Sequence, residues 1–354
     1  MENVKVALWG FGAMGSGIAT SLLEKKGVDI VGVCDSHPDR VGRNIFDVLK
    51  LPAGGRKPVT VKAGIEEVLS KGCCDICVIA TDSFVKKVFD KIKFVLERGI
   101  NVITIAEEMS YPKASSPELA AEMDRIAKAN GVSVLGTGIN PGLAMDLLAI
   151  CLSGAMTRVD GVTCRRVNSL SPFGKTVMEE QGVGISLAEF EKGSSEGHLA
   201  GHVGFAESVA MISEALGLGI DGFKQQMKPI VTGVDRVAPY GSAKKGSVAG
   251  INMTGQGFCG GRQVITMEHP QQIEPENEGV FTGDYIVLEG EPKIAMEIKP
   301  EISGGLGTIA MCVNCIPHVI NARPGLHTMI DIPVPRAIMG DFRNLIDPER
   351  KIVK

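Results

Sequence analysis

Residues 4–17 read VKVALWGFGAMGSG, an apolar run that ends in glycines at the spacing GxGxxG. In a strand-to-helix turn of this kind, Gly10 permits the tight bend, Gly12 leaves room for a pyrophosphate, and Gly15 lets the helix approach the strand closely. The helix N-terminus then offers free N–H groups and its positive dipole end to phosphate oxygens. The sequence therefore predicts a dinucleotide-binding loop formed by Gly10, Phe11, Gly12, Ala13, Met14 and Gly15.

A chain with 44 glycines can contain a GxGxxG spacing in an ordinary turn, so the residues around the motif must support the dinucleotide-binding interpretation. A helical pattern follows the glycines, and a second strand, VDIVGVCD, ends in Asp35. An acidic residue there accepts hydrogen bonds from the ribose hydroxyls of NAD and repels the 2′-phosphate of NADP. Ser36 and Arg40 follow at once, in positions that suit a 2′-phosphate. We therefore expect both NAD and NADP to be used.

The order of elements predicts an α/β fold with two domains. Strands and helices alternate over residues 1–141, as in a Rossmann-type, doubly wound parallel sheet. Residues 142–304 begin with a helix to about residue 153 and continue as successive strands, interrupted by a helical stretch at about 198–216. This pattern predicts an α+β domain with a mostly antiparallel sheet for substrate binding and dimerisation. A last helix, at about 305–322, and the tail are expected to return to the first domain.

Composition excludes several classes of function. The net charge is −4, with acidic and basic residues mixed, so no nucleic-acid partner is expected. No apolar run approaches the roughly 18 residues of a membrane span, and the chain begins directly with its first strand, without a signal sequence. We therefore expect a cytoplasmic protein. The apolar sheet face of the second domain predicts a homodimer.

Two sets of potential metal ligands are present, and neither predicts a metal site. Five of the nine cysteines lie in CCxxC and CxxC spacings, but within an apolar strand and a helical segment, which favours buried thiols in a reducing compartment: Cys73, Cys74, Cys77, Cys312 and Cys315. His198 and His202 are four residues apart, but no HExxH glutamate lies between them. We interpret them as the polar end of a helix.

Ligands of an open parallel sheet bind beyond the carboxyl ends of its strands. At the end of the fourth strand, small side chains at Ala80, Thr81 and Asp82 allow the nicotinamide ring to pass closely, although Asp82 or Ser83 would serve equally as a helix cap. Asn140, in the segment TGINPG, follows the sixth strand at a helix start, within reach of cofactor and substrate.

The fifth strand ends in two adjacent carboxylates, Glu107 and Glu108. Such a pair is costly to bury unless a cation or polar ligand meets it, and the alternative is that both face water. A carboxylate at the ligand site would hold an ammonium group and accept its proton, as hydride loss from an amine carbon requires. We favour Glu107 as the catalytic residue because it directly continues the strand.

In the second domain, strand alternation along VTCRRVNSL places Arg166 and Asn168 on one face and Arg165 on the other. Arg166 with Asn168 would clamp a carboxylate through parallel hydrogen bonds, whereas the alternative is two surface arginines. His269 closes the strand RQVITMEH, and Thr308 lies at the start of the last helix. Both are further candidates for substrate binding.

The segments GFGAMG, ATDSF, AEEMSYP, TGINPGLAMD, GHVGFAES and PEISGGLGTIAMCVNCIPHVINARPGLHTMIDIP together resemble the 2,4-diaminopentanoate dehydrogenase family. This family belongs to a wider group with a dihydrodipicolinate-reductase-like N-terminal domain, which includes native amine dehydrogenases. The resemblance spans nearly the whole chain. It implies NAD(P)-dependent oxidative deamination of (2R,4S)-2,4-diaminopentanoate at C4 to 2-amino-4-oxopentanoate and ammonia, in ornithine degradation.

The same resemblance implies that Glu107 binds the reacting amine and activates the water that hydrolyses the imine. We assign substrate positioning to Asn140, Arg166, Asn168, His269 and Thr308.

Other activities stay open as alternatives. A related enzyme would deaminate a different amine or amino acid. A dihydrodipicolinate-type imine reductase would carry a basic motif with histidine and lysine near residues 150–175, where no histidine occurs. The chain also lacks the catalytic lysine of homoserine dehydrogenases at the comparable strand end. A non-catalytic NAD sensor would need neither the paired glutamates nor the arginine clamp.

Overall fold

The computed structural model describes residues 2–350, which form two compact units. The first unit contains the chain up to Gly142 and the chain from Gly304 onward, and the second contains Leu143–Ser303. Within the described residues, no helix is both long and apolar enough to cross a membrane.

The first unit is built on a parallel sheet of seven strands among the described residues, in the order β15-β6-β5-β4-β1-β2-β3. Its strands are β1 Val4–Trp9, β2 Val28–Cys34, β3 Val61–Lys62, β4 Ile76–Ile79, β5 Asn101–Thr104, β6 Ser133–Gly136 and β15 Gly325–His327. Its helices are α1 Ala13–Leu23, α2 Ile45–Leu49, α3 Val85–Leu96, α4 Pro117–Ala129 and α9 Gly304–Asn321. Short 3-10 turns occur at Ile65–Glu67, Glu107–Ser110 and Phe342–Leu345. This confirms the predicted Rossmann-type sheet.

Burial explains why the central strands form. Every residue of β4, β5 and β6 is buried, as expected for parallel strands covered on both faces. On α3, Val85, Val88, Ile92 and Val95 are buried at helical spacing and pack into the same core. The packed core therefore fixes the positions of the carboxyl ends of these strands.

The first unit differs from the prediction at both edges of its sheet. At one edge, the regular alternation of strands and helices is weak, because β3 has only two residues, which pair with Val33 and Cys34. At the other edge, β15 was not predicted, because three residues after Pro324 are too short to show periodicity. It pairs with β6, from Gly325 opposite Ser133.

The second unit contains a six-stranded sheet, within the described part of the chain, in the order β14-β13-β7-β12-β11-β8. All neighbours are antiparallel except β7 and β12, which confirms the predicted, mostly antiparallel sheet. The strands are β7 Arg158–Ser169, β8 Gly222–Val231, β11 Val248–Cys259, β12 Arg262–Gln272, β13 Gly283–Glu291 and β14 Ile294–Ile298, with a separate hairpin of β9 Arg236–Ala238 and β10 Gly241–Ala243. A further 3-10 turn spans Pro275–Glu278.

The helices of the second unit differ from the prediction. They are α5 Leu147–Ser153, α6 Lys175–Glu180, α7 Leu187–Ser195 and α8 Phe205–Leu216. The predicted start of α8 near residue 198 is wrong, because Gly201 and Gly204 adopt φ values of +59° and +115°, outside the helical region. The short helices α6 and α7 were not predicted.

The cysteine pattern behaves as expected of buried thiols. Cys74, Cys77, Cys312 and Cys315 are buried, Cys73 is half-buried, and none forms a disulfide.

Candidate active site

The glycine loop between β1 and α1 has the geometry that a dinucleotide requires. Gly10 has a φ of +100°, and a Cβ there would overlap the carbonyl oxygen of Ala80. A Cβ at Gly15 would overlap the carbonyl oxygen of Gly10. By contrast, a Cβ at Gly12 would meet no atom of residues 2–350 within 4 Å. The loop therefore needs glycine for its own packing at two positions and leaves open space at the third, where a pyrophosphate fits.

Asp35 follows β2 and is held firmly beside this loop. Its carboxylate accepts hydrogen bonds from the backbone N–H groups of Phe11 at 2.5 Å and His37 at 2.7 Å. Arg40 lies 3.3 Å away and forms an ion pair with it. Burial opposes ionisation, but these hydrogen bonds and the Arg40 charge outweigh it and lower the pKa of Asp35. Asp35 is therefore an oriented carboxylate, and Arg40 is its partner.

Thr81 and Asp82, after β4, are tied to the helix that follows. The Lys91 ammonium on α3 donates to the Thr81 hydroxyl at 2.8 Å and to the Asp82 carboxylate at 3.0 Å. The alternative that Asp82 or Ser83 caps α3 is wrong, because the capping position is Phe84, with no side-chain hydrogen bond.

Glu108 supplies the missing cap of α3. Its carboxylate accepts the Val85 N–H at 2.7 Å, and its own N–H donates to the Ser83 carbonyl at 3.1 Å. A carboxylate at a helix N-terminus is stabilised by the free N–H groups and by the helix dipole. Glu108 therefore has a structural role that the sequence did not predict. It follows β5, whereas the helix that it caps follows β4, so the contact forms only when the two strand ends lie side by side.

Glu107 lies in a different environment from its neighbour. It begins the 3-10 turn Glu107–Ser110 after β5 and is half-buried, and the Ser83 hydroxyl donates a hydrogen bond to its carboxylate. Burial raises the pKa of Glu107, the charge of Glu108 raises it further, and the Ser83 hydrogen bond opposes both. A half-buried carboxyl group with a raised pKa is a stronger base than an exposed one.

The loop after β6 contains Asn140 and is fixed by α9. The Ile139 N–H donates to the Thr308 hydroxyl at 3.3 Å. Gly142 has a φ of +127°, and a Cβ there would lie 2.6 Å from the Gly138 nitrogen, so the loop doubles back tightly. Thr308 therefore acts on this loop, which carries Asn140, through a direct contact with its backbone.

In the second unit, Arg166 is committed to partners of its own. Its guanidinium is only 2% exposed, forms an ion pair with Asp284 and donates to the Ile302 carbonyl oxygen. Arg166 and Asn168 are both buried, while Arg165 is half-exposed beside Glu268 at 3.1 Å, as strand alternation predicted. The interpretation of both arginines as surface residues is wrong for Arg166.

Two histidines lie together near Arg166. The His269 Nε2 atom lies 3.0 Å from the Asn168 Oδ1 atom, and the His202 ring stands edge-on to the His269 ring at 4.7 Å. Burial and, to a smaller extent, the charge of nearby Arg166 lower the pKa of His202 to about 3. Burial, together with His202 and Arg166, lowers the pKa of His269. The interpretation of both histidines as a polar helix end is wrong for His202, since it precedes α8 and is a half-buried imidazole that its lowered pKa keeps neutral, whereas His198 is exposed beside Glu196.

Comparison with known proteins extends this description. The family model for the 2,4-diaminopentanoate dehydrogenase C-terminal domain matches residues 143–348. The 2,4-diaminopentanoate dehydrogenase of Acetoanaerobium sticklandii is 59% identical over 355 residues, which cover 100% of both chains.

Two solved structures have a similar fold. The amine dehydrogenase of Mycobacterium smegmatis has a TM-score of 0.83 at 28% identity and covers 96% of this chain and 98% of that one. A protein of gentamicin A biosynthesis, solved in complex with NAD, has a TM-score of 0.55 at 15% identity over 94% of this chain and 90% of that one, a likeness of fold. The full-length identity and the family model together show that this chain is a dehydrogenase and belongs to the 2,4-diaminopentanoate dehydrogenase family.

Proposed function

We propose that this chain catalyses the NAD(P)-dependent oxidative deamination of 2,4-diaminopentanoate at C4. One substrate molecule, one oxidised dinucleotide and one water yield 2-amino-4-oxopentanoate, an ammonium ion, the reduced dinucleotide and one proton. The observation that carries the proposal is the 59% identity over the full length to a 2,4-diaminopentanoate dehydrogenase. The setting of Glu107, half-buried with a raised pKa, supports it independently.

The residues of the first unit fit a nicotinamide dinucleotide. The open space at Gly12 and the free N–H groups of α1 would hold the pyrophosphate, and Asp35 would accept the ribose hydroxyls. When bound, the nicotinamide ring accepts the hydride that leaves the amine-bearing carbon. Ala80, Thr81, Asp82 and Asn140 are the residues that we assign to its surroundings.

The choice between NAD and NADP follows from Asp35. Because Phe11 and His37 hold its carboxylate, we expect NAD to be favoured, while Ser36 and Arg40 permit NADP when Arg40 turns to the phosphate. Measuring kcat/KM for both dinucleotides tests this. A clear preference for NADP would contradict the weight given to Asp35.

Glu107 is proposed to act twice in the reaction. Its carboxylate first accepts a proton from the substrate ammonium, because the nitrogen lone pair must be free to expel the hydride from C4. Glu107 releases this proton to solvent before the iminium group left by hydride loss is hydrolysed. The ionised carboxylate then deprotonates the attacking water and passes that proton to the departing nitrogen, which leaves as ammonium. We assign Ser83 as a positioning residue, since its hydrogen bond favours the ionised carboxylate.

Substrate positioning is assigned to groups in each unit. In the first unit, Asn140 is the proposed contact, and Thr308 fixes the loop that carries it. In the second unit, we propose Asn168 and His269 as polar contacts. Arg166, whose guanidinium is already engaged by Asp284 and the Ile302 carbonyl, is proposed to position the strand that carries Asn168 rather than to clamp a carboxylate itself.

A test of the proposal compares two neighbouring carboxylates. Glu107→Gln should keep NADH binding and lose about 100-fold or more in kcat, the usual contribution of a general base. Glu108→Gln is the matched control, since the amide oxygen can still accept the Val85 N–H, and it should retain most activity. Unchanged turnover in Glu107→Gln would remove this residue from the mechanism.

A second candidate function is dehydrogenation of another amine, which the structural likeness to the Mycobacterium smegmatis amine dehydrogenase favours. Following NADH absorbance with a panel of diamino acids, amino acids and simple amines separates the two. Highest kcat/KM with 2,4-diaminopentanoate supports the first proposal, and highest kcat/KM with an amine lacking a carboxylate would contradict it.

We also propose a homodimer in a reducing, cytoplasmic compartment. Large apolar side chains of the second unit, Val237, Tyr240 and Phe281, are 56–73% exposed, and the nine cysteines are free. Analytical ultracentrifugation tests the dimer, which a monomer at micromolar concentration would contradict.

A further inference from the structure

A cavity of about 610 Å³ lies in the first unit at the amino ends of β1 and β2, whereas the dinucleotide loop follows their carboxyl ends. Its volume falls in the range of small-molecule sites, about 300–1,000 Å³. The proposed reaction uses none of its lining residues, so the cavity needs a separate explanation.

The cavity exists because β3 is so short. β3 pairs only with Val33 and Cys34, so the amino-terminal half of β2, from Val28, has no partner strand on that side within residues 2–350. The chain over residues 55–59 covers this open edge instead of pairing with it. Arg56 pins the cover in place by donating to the carbonyl oxygens of Val28 at 3.0 Å and Leu23 at 2.8 Å.

The walls of the cavity combine apolar side chains with an excess of positive charge. The apolar part is formed by Leu23, Ile30, Val31, Ile45, Phe46 and Val59. The charged lining groups are five cations and a single carboxylate, namely Lys5, Lys25, Lys26, Arg56, Lys57 and Asp29.

Neighbouring acids reduce this excess without removing it. Glu2 lies 3.3 Å from Lys5, and Asp341 lies 3.9 Å from Lys26. Counting both with Asp29 leaves two net positive charges, in a chain whose overall charge is −4. Lys57 is exposed and makes no ion pair with any residue in the described part of the chain. An apolar pocket with a free cation at its edge favours a ligand with an apolar body and an anionic end.

The cover of the cavity is also connected to the dinucleotide loop. The Ile45 N–H donates to the Val59 carbonyl at 2.9 Å, and the Gly42 N–H donates to the Val61 carbonyl at 2.9 Å. The Asp35 N–H donates to the Lys62 carbonyl at 3.0 Å. A ligand that contacts Val59 therefore acts on the same hydrogen-bonded segment that holds Asp35.

We propose that this cavity is an effector site for a small organic anion with an apolar body, and that its occupation changes the affinity of the chain for its dinucleotide. The first half stands on the cavity alone, and the second half rests on the dinucleotide binding proposed above. By linkage, the dinucleotide must change anion affinity by the same factor.

The probe for the first half is anilinonaphthalene sulfonate, an apolar anion that becomes fluorescent in apolar sites. We expect saturable binding to the full chain at saturating NAD. Lys57→Gln should weaken it about threefold, as for one exposed charge contact, while Lys57→Arg should keep it. Val31→Trp should abolish it by filling the cavity, while Val31→Ala should keep it. The absence of saturable binding at saturating NAD, or binding that survives both Lys57→Gln and Val31→Trp, would overturn the proposal.

The probe for the second half is NADH, titrated calorimetrically with and without saturating anilinonaphthalene sulfonate. A change of about twofold or more in the NADH Kd of the wild type, absent in Val31→Trp, supports linkage. An unchanged Kd would overturn it. Failure of the fluorescence titration alone leaves the dehydrogenase proposal intact, whereas a chain that does not bind NADH at all would refute the dehydrogenase proposal and the linkage together.

Discussion

Replacing Ser83 by alanine removes the hydroxyl that donates to the Glu107 carboxylate. This hydrogen bond stabilises the ionised form of Glu107, so its loss should raise the pKa of Glu107 further above the usual range. A hydrogen bond to a charged group contributes about 1.5–3 kcal/mol, and one pKa unit corresponds to about 1.36 kcal/mol. Because Ser83 is half-buried, we take the lower end of this range and expect a shift of about 1 unit.

The sign of the effect on activity follows directly. Glu107 must be ionised to accept the ammonium proton, and a higher pKa restricts that form to higher pH. The acidic limb of the kcat/KM profile should therefore move up by about 1 pH unit, with little change at the alkaline plateau.

The assay is initial NADH formation from 2,4-diaminopentanoate across the acidic range, for wild type, Ser83→Ala and Ser83→Thr. The threonine variant keeps the hydroxyl and should keep the wild-type limb. If Ser83→Ala leaves the limb in place, or if Ser83→Thr moves it equally, the Ser83 hydrogen bond does not set the ionisation of Glu107.

Three further predictions concern stability and the cofactor loop. Gly15→Ala should lower the thermal unfolding temperature, because its Cβ would overlap a backbone oxygen. Gly12→Ala should unfold at the wild-type temperature but bind NADH more weakly in calorimetry. A lower unfolding temperature for Gly12→Ala than for Gly15→Ala would contradict the loop geometry. Asp284→Asn leaves a buried guanidinium without its counter-charge, so urea denaturation should show a loss of about 3 kcal/mol, and a loss below about 1 kcal/mol would contradict a buried ion pair. His202 and His269 are neutral in the folded chain and take up protons near pH 6.5 when unfolded, so the unfolding free energy should fall by up to about 2.7 kcal/mol per pH unit between about pH 6 and 4. His202→Gln should halve that slope, and an unchanged slope would show that this histidine is not responsible.

Much of the architecture could be predicted from local pattern. The apolar strand before Gly10, the buried positions along α3 and the carboxyl end of β5 all follow from residue order, because strand and helix periodicities are local. Elements without a periodic signal were missed or misplaced. β15 is a three-residue strand, and the start of α8 depends on the φ values of Gly201 and Gly204.

The candidate site divides in the same way. The adjacent glutamates at a strand end indicated a polar site, but the sequence does not show that the two side chains have different surroundings. Glu108 caps α3 through Val85, and Ser83 holds Glu107, because two strand ends and a helix start meet in space. Likewise, the pairing of Arg166 with Asp284 joins residues 118 positions apart.

The sequence by itself determined the glycine loop and the carboxylate that follows β2, and it predicted chemistry at the strand ends, since these depend on spacing along the chain. Only the tertiary structure decided which carboxylate has a raised pKa and which one caps a helix, which arginine is buried, and where an uncovered strand edge leaves a cavity. The reason is physical: burial, hydrogen bonding and the field of nearby charges act through space, and they set the ionisation of a group as much as its chemical identity does.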